Sequence, residues 1–207
     1  MLDRMLDPAD HYYYPWVFHL GFMVNFVIVS RYRRAAQRGR KFDLRLEGRF
    51  IMIALRATAL AGLAYLIVYA INPRWVSATL IEMPIALRWT GAFIAFFVTP
   101  PFIHWAQSSL GKNVSPTITL RDDHSLITIG PYRYIRHPLY TAGMTLYTGL
   151  FLISGTWPFF AALIFGFIVI LARLPKEEAN LRARFGADYD AYAARTGRFF
   201  PKIRRAG

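Results

Sequence analysis

Two stretches of this chain hold side chains that can do more than pack. Residues 131–140, PYRYIRHPLY, place Tyr132, Arg136, His137 and Tyr140 around Pro138. Residues 173–178, RLPKEE, place Arg173 four positions before Glu177, on one helix face if the helix continues past Pro175, with Glu178 next in line. Together they offer a carboxylate for a cation, a guanidinium for an anion, and aromatic walls. Each piece alone also has a plain structural reading. Arg136 and His137 could anchor a helix at a membrane interface, and Glu177 and Glu178 could complement a helix start after Pro175. Phe185, Tyr189 and Tyr192, at helical spacing, could simply pack. Only juxtaposition of the two stretches separates these readings, and that depends on the elements that carry them.

Of 207 residues, 55% are apolar and 16% aromatic, which excludes disorder and favours a membrane protein. There is no cysteine, so disulfide scaffolds, thiolate metal sites and cysteine nucleophiles fall away. No G-x-G occurs either, which removes the dinucleotide fingerprint and the P-loop. Five apolar runs approach the roughly 20 residues a membrane-crossing helix needs. They are residues 15–30, behind the aromatic cluster Tyr12, Tyr13, Tyr14 and Trp16; 50–71, with Arg56 as the only charge; 85–103, ending over Pro100 and Pro101; 139–154; and 157–171. The two prolines are expected to bend or stop the third run. Only Gly155 and Thr156 divide the last two runs, which predicts a tight helical hairpin, both arms short for a full crossing. Its far ends, at 137–140 and 171–178, should then be neighbours. Pro138 suits a first helical position, with a helix amino terminus beyond it that favours anions.

The expected fold is all-α and integral to the membrane, with about five transmembrane helices, a short hairpin and a cytosolic C-terminal helix. Residues 1–107 would supply three spans and residues 108–207 the functional core. The formal charge is +13, from 25 Lys and Arg against 12 Asp and Glu. Of those 25, 21 fall in residues 31–49, 104–137 and 173–207. The positive-inside rule therefore puts the amino terminus outside and the carboxyl terminus in the cytosol. Topology thus accounts for the charge and leaves nucleic-acid binding without independent support, although RYRRAAQRGRK at 31–41 could meet phospholipid headgroups. The first run follows an acidic leader, Asp3, Asp7 and Asp10, and reads as a retained anchor rather than a cleaved signal.

GPYRYIRHPLYTAG, together with the later R-x-x-x-E-E, LRARFGADYDAY and RFFP, resembles the isoprenylcysteine carboxyl methyltransferase family, whose wider relatives include the phospholipid N-methyltransferases. The resemblance covers residues 108–203; the first two spans carry no matching motif. It implies a multi-pass membrane enzyme that binds S-adenosylmethionine on the cytosolic side, in a pocket unrelated to the soluble Rossmann methyltransferases. Carried over residue by residue, it implies cofactor contact from His124, Ser125, Leu126, Ile127, Tyr132, His137, Pro138, Leu139, Tyr140 and Glu177, with Glu178 counted alongside. Arg173 matches the arginine that meets a substrate carboxylate, and Arg173, Glu177 and His137 form the implied catalytic set. Thr119 stands where a further polar contact is expected. Pro175, between Arg173 and Glu177, departs from the family pattern and is expected to kink the helix.

The implied chemistry suits the residue types. Glu177 fits the cofactor's ammonium, His137 or a backbone donor its carboxylate, and Tyr132 and Tyr140 its adenine or its sulfonium. An acceptor carboxylate, with an ordinary pKa of about 4, is already ionised and needs orientation more than a base. Amine methylation would need a base such as Glu178. Three readings follow: carboxyl methylation of a lipidic or prenylated acceptor, N-methylation of an aminophospholipid, and a non-catalytic membrane subunit on the same scaffold.

Overall fold

The computed structural model describes residues 8–37, 60, 64, 65, 67–69, 71–113 and 125–202, and among these all regular structure is helical. Four long helices organise it: α1, Pro8–Gln37; α2, Ile85–Leu110; α3, Pro138–Ser154; and α4, Trp157–Arg195. Residues 64, 65, 67–69 and 71 are helical as well, and Arg56 lies outside the described residues.

α3 is the hub, packing against α1, α2 and α4. Where α2 and α3 cross, Gly91 meets Gly149, and a Cβ on Gly91 would sit 2.6 Å from the Gly149 carbonyl oxygen. Small residues at this crossing let two backbones approach where no side chain fits. Around it a core joins Phe18, Tyr69, Ala92, Ala95, Leu150, Ile153 and Phe159 from every long helix and the further helical residues. Asn25 ties α1 into the same layer, its Nδ2 donating to Gly21 O at 2.8 Å and to Ala95 O at 2.9 Å. The opposite surfaces stay apolar: Trp16, Leu20, Met23, Phe97, Phe160 and Ile168 are all exposed, as expected of helices that face lipid.

Two helices among the described residues, Ile85–Leu110 and Trp157–Arg195, are long and apolar enough to cross a bilayer. Two sequence expectations are corrected here. Pro100 and Pro101 do not end the third run. A π-helical turn, Ile94–Val98, precedes them, Thr99 Oγ1 donates to Ile94 O at 2.9 Å, and the helix continues to Leu110. The wider turn re-satisfies a ladder that proline would otherwise break. Nor does a new helix begin after Pro175. α4 continues through that proline, and its break falls instead at Gly186, at φ 51° and ψ −128°, where two helical segments meet across a kink and a C-terminal segment follows. α4 is long and apolar enough to cross a bilayer, so of the two hairpin arms only the 17-residue α3 is short for a crossing.

The hairpin turn is as tight as its sequence predicts. Gly155 takes a left-handed conformation at φ 60° and closes α3, its N–H donating to Phe151 O at 2.8 Å. Arg88 Nη1 donates to Ile153 O at 2.6 Å, placing a cation on the last turn of α3. Ile81 N donates to Gly155 O at 2.6 Å and clasps the turn from outside.

Candidate functional site

At the other end of the hairpin, His137 caps α3. Its position before Pro138 holds it non-helical, at φ −124° and ψ 57°, while its carbonyl accepts from Tyr140 N and Thr141 N, both at 3.1 Å. Chain reversal at Gly155 and Thr156 brings the later part of α4 alongside. The two stretches singled out in the sequence therefore meet. Tyr140 Oη donates to Glu177 Oε2 at 2.6 Å. His137 Nδ1 lies 3.6 Å from Glu177 Oε1, and His137 Nε2 lies 3.4 Å from Glu178 Oε1. The His137 and Tyr140 rings stack with centroids 5.6 Å apart.

The adjacent glutamates occupy different surroundings. Glu178 is buried, and its two oxygens accept from Arg136 Nε at 3.2 Å, Arg198 Nε at 3.2 Å and Arg198 Nη2 at 2.9 Å, besides facing His137. Glu177 keeps a side chain 27% exposed; it accepts from the neutral phenol of Tyr140, faces His137 at ion-pair distance and feels the Arg173 charge. Of the two carboxylates, Glu177 is the one with capacity left for an incoming cation.

The electrostatics follow from these contacts. The hydrogen bond from His137 holds the Glu178 carboxyl down to about 2 against the opposing effect of burial, with Arg198 and Arg136 adding to it. Burial would raise the Glu177 pKa, but His137, Tyr140 and the Arg173 charge outweigh it and lower it. Burial works against a charge on His137 too, yet the two carboxylates prevail and raise its pKa. Imidazolium, with a proton on each nitrogen, is the form that satisfies both facing carboxylates. Burial, with Tyr192 and Glu177 nearby, keeps the Tyr132 phenol neutral.

The C-terminal segment completes the arrangement. After α4 ends, residues 196–199 run beside 134–137: Gly197 N donates to Tyr134 O at 3.2 Å, Arg136 N to Gly197 O at 2.8 Å and His137 N to Arg198 O at 3.1 Å. Arg136 Nη1 also donates to the carbonyls of Ala193 and Thr196, Thr141 Oγ1 to Phe199 O at 3.0 Å, and Tyr192 Oη to Tyr132 O at 2.9 Å.

The structure thus unites His137, Tyr140, Glu177 and Glu178, with Arg173 close enough to act on Glu177. Pro138 and Leu139 form the first turn of α3, and Tyr132 lies buried in the turn Gly130–Arg133. Ser125 is tied elsewhere: its N–H donates to Asn113 Oδ1 at 3.1 Å, beyond the end of α2. Leu126 and Ile127 follow it, half-buried in the extended stretch before that turn. His124 and Thr119 lie outside the described residues. Sequence reasoning gave no role to Arg198 or Thr196 and left Arg136 as an interfacial anchor. The available signal was charge balance, since two adjacent glutamates, one of them buried, require several cations. Among the described residues no group of three His, Asp or Glu could hold a metal ion, so the cluster is an ion-pair network.

Residues 87–188 match the phospholipid methyltransferase family. The nickel-cobalt-cadmium resistance protein NccN of Alcaligenes xylosoxydans xylosoxydans is 33% identical over 86 residues, covering 42% of this chain and 40% of that protein. The cobalt-zinc-cadmium resistance protein CzcN of Cupriavidus metallidurans is 26% identical over 118 residues, 56% of this chain and 55% of that protein. The chain therefore spans about half the length of these curated relatives, or less. The fold resembles that of a eukaryotic intramembrane Ras methyltransferase, the isoprenylcysteine carboxyl methyltransferase, with a TM-score of 0.52 and 19% identity over 78% of this chain and 55% of that one. The family match takes in α3 and the Glu177 and Glu178 region of α4 together, and over those residues the chain is similar to the phospholipid methyltransferase family.

Proposed function

We propose that this chain transfers a methyl group from S-adenosylmethionine to the carboxylate of a lipidic, isoprenylcysteine-like acceptor at the cytosolic face of a membrane. One observation carries the reading: His137 and Tyr140 from one hairpin arm meet Glu177 from the other where apolar helix surface gives way to charge. The donor set fits the cofactor. Glu177 suits its ammonium, His137 its carboxylate, and Tyr132, Pro138, Leu139 and Tyr140 supply apolar and aromatic surface. When bound, the cofactor supplies an electrophilic methyl on a sulfonium. The protein's part is then to orient the acceptor and keep water out, with Arg173 suited to hold an acceptor carboxylate. The family resemblance adds Ser125, Leu126, Ile127 and His124 as further proposed cofactor contacts.

The basic segments support five crossings with the amino terminus outside and this site in the cytosol. Residues 108–207 would then form the catalytic core. N-methylation of an aminophospholipid is favoured by the description of the matched family. It needs a base, however, and Glu178, held ionised by two arginines and His137, is poorly placed to take up a proton. That weighs towards the carboxylate.

A methyl-labelling assay on membranes containing the protein decides among the readings. Label that base releases as methanol is expected for a methyl ester. Base-stable label in lipid would indicate N-methylation. Cofactor binding with no labelled lipid or prenylcysteine analogue would indicate a non-catalytic subunit.

A further inference from the structure

Arg198 belongs to no helix and lies outside residues 87–188, yet it makes the densest contact in the cluster, donating from Nε and Nη2 to both oxygens of Glu178 at 3.2 and 2.9 Å. Its own backbone carbonyl accepts from His137 N at 3.1 Å. The same residue therefore fixes the backbone of His137 and competes with the His137 ring for Glu178. We propose that Arg198 is a positioning residue for the donor site, acting through Glu178 on His137. This rests on the methyltransferase reading above.

The groups that face His137 are few. On α4 they are Glu177 and Glu178, with Arg173 acting on Glu177; on α3, Tyr140 stacks on its ring; Arg136 shares Glu178; and the Phe199 ring lies 6.3 Å away. By taking both oxygens of Glu178, Arg198 limits that carboxylate's hold on Nε2 and leaves Nδ1 facing Glu177. Without Arg198, Glu178 keeps only Arg136 besides His137, draws the imidazolium more strongly towards itself and away from Glu177, and the pair that meets the donor is misaligned.

The test uses full-length protein, 15N-labelled at histidine, with S-adenosylhomocysteine as the binding probe. In R198Q the His137 resonance should titrate at higher pH by about half a unit or more, because a cation has left its surroundings. Affinity for the probe should fall about three- to tenfold, the scale of one misaligned charge-assisted contact. R198K keeps the charge but not the fork, so a smaller upward shift is expected. If R198Q fails to fold, R198K alone decides, by an upward shift or none. Wild-type titration in the folded variants, or a loss of affinity that only follows a loss of melting temperature, would overturn the proposal. Wild-type protein that does not bind the probe would sink the methyl-transfer reading and leave the titration to judge Arg198.

Discussion

The hydroxyl of Tyr140 donates to Glu177 Oε2 at 2.6 Å across the open end of the α3–α4 hairpin. A neutral phenol facing an ionised carboxylate gives a charge-assisted bond that holds one oxygen in place without adding a cation to those, His137 and Arg173, that already act on Glu177. Tyr140 thus aims Glu177 without consuming it.

Tyr140→Phe removes this bond and little else. Loss of one hydrogen bond to a charged group costs about 1.5 kcal/mol, roughly tenfold in affinity. Calorimetric titration with S-adenosylhomocysteine should show that weakening, with the helical circular-dichroism signal retained. Unchanged affinity would mean that Glu177 is not a cofactor ligand.

The two glutamates should respond in opposite ways. Glu177→Gln should weaken cofactor binding by about 1 to 3 kcal/mol and spare the fold, since its side chain is partly exposed and its ion pair with His137 is long. Glu178→Gln leaves the buried Arg136 guanidinium without its carboxylate, a loss of about 3 kcal/mol that should lower the melting temperature several degrees. The same ranking in binding and in melting for both variants would contradict the division of labour between them.

How much of this could be read beforehand follows from the range of each contact. The hairpin was legible because its signal is local: two apolar runs around Gly155, whose lack of a Cβ permits the left-handed closing turn. That turn alone sends His137 and Glu177 to the same place, so their meeting followed from the sequence. Arg198 was not legible. Its partner Glu178 is 20 positions away, and the pairing depends on the chain doubling back after Arg195 to run beside 134–137. No periodicity encodes that return. The passage of α2 through Pro100 and Pro101 was hidden for a different reason: proline reports a missing donor, not the π-helical turn that accommodates it.

The pH dependence of stability should be two-sided. The raised pKa of His137 means that its contribution is complete below its ordinary 6.5 and is lost as pH climbs through the folded value. Glu178, depressed to about 2, contributes fully above its ordinary 4.5 and loses that contribution as pH falls from 4.5 towards 2; Glu177 acts in the same direction. Melting temperature in detergent should therefore peak between pH 4.5 and 6.5, within the window those ordinary values bracket. His137→Gln should flatten the alkaline side. A wild-type profile still rising above neutral pH would contradict an imidazolium at this position.

The closeness of α2 and α3 gives a test that is independent of any ligand. A Cβ on Gly91 would stand 2.6 Å from Gly149 O, 2.7 Å from Leu152 Cβ and 2.9 Å from Ile153 N. Two of these are backbone atoms, which cannot rotate aside, so Gly91→Ala must push the helices apart. Overpacking of this kind costs about 1 to 3 kcal/mol, and it would also shift the arm that carries His137 and Tyr140 relative to α4. Gly143 supplies the control. It lies within α3, nothing stands within 4 Å of its added Cβ, and alanine there should be neutral or stabilising by up to about 1 kcal/mol through helix propensity. Thermal melting of the two variants should separate them in sign, with Gly91→Ala alone also weakening cofactor binding. Equal melting temperatures would mean that α2 and α3 do not cross at Gly91 and Gly149.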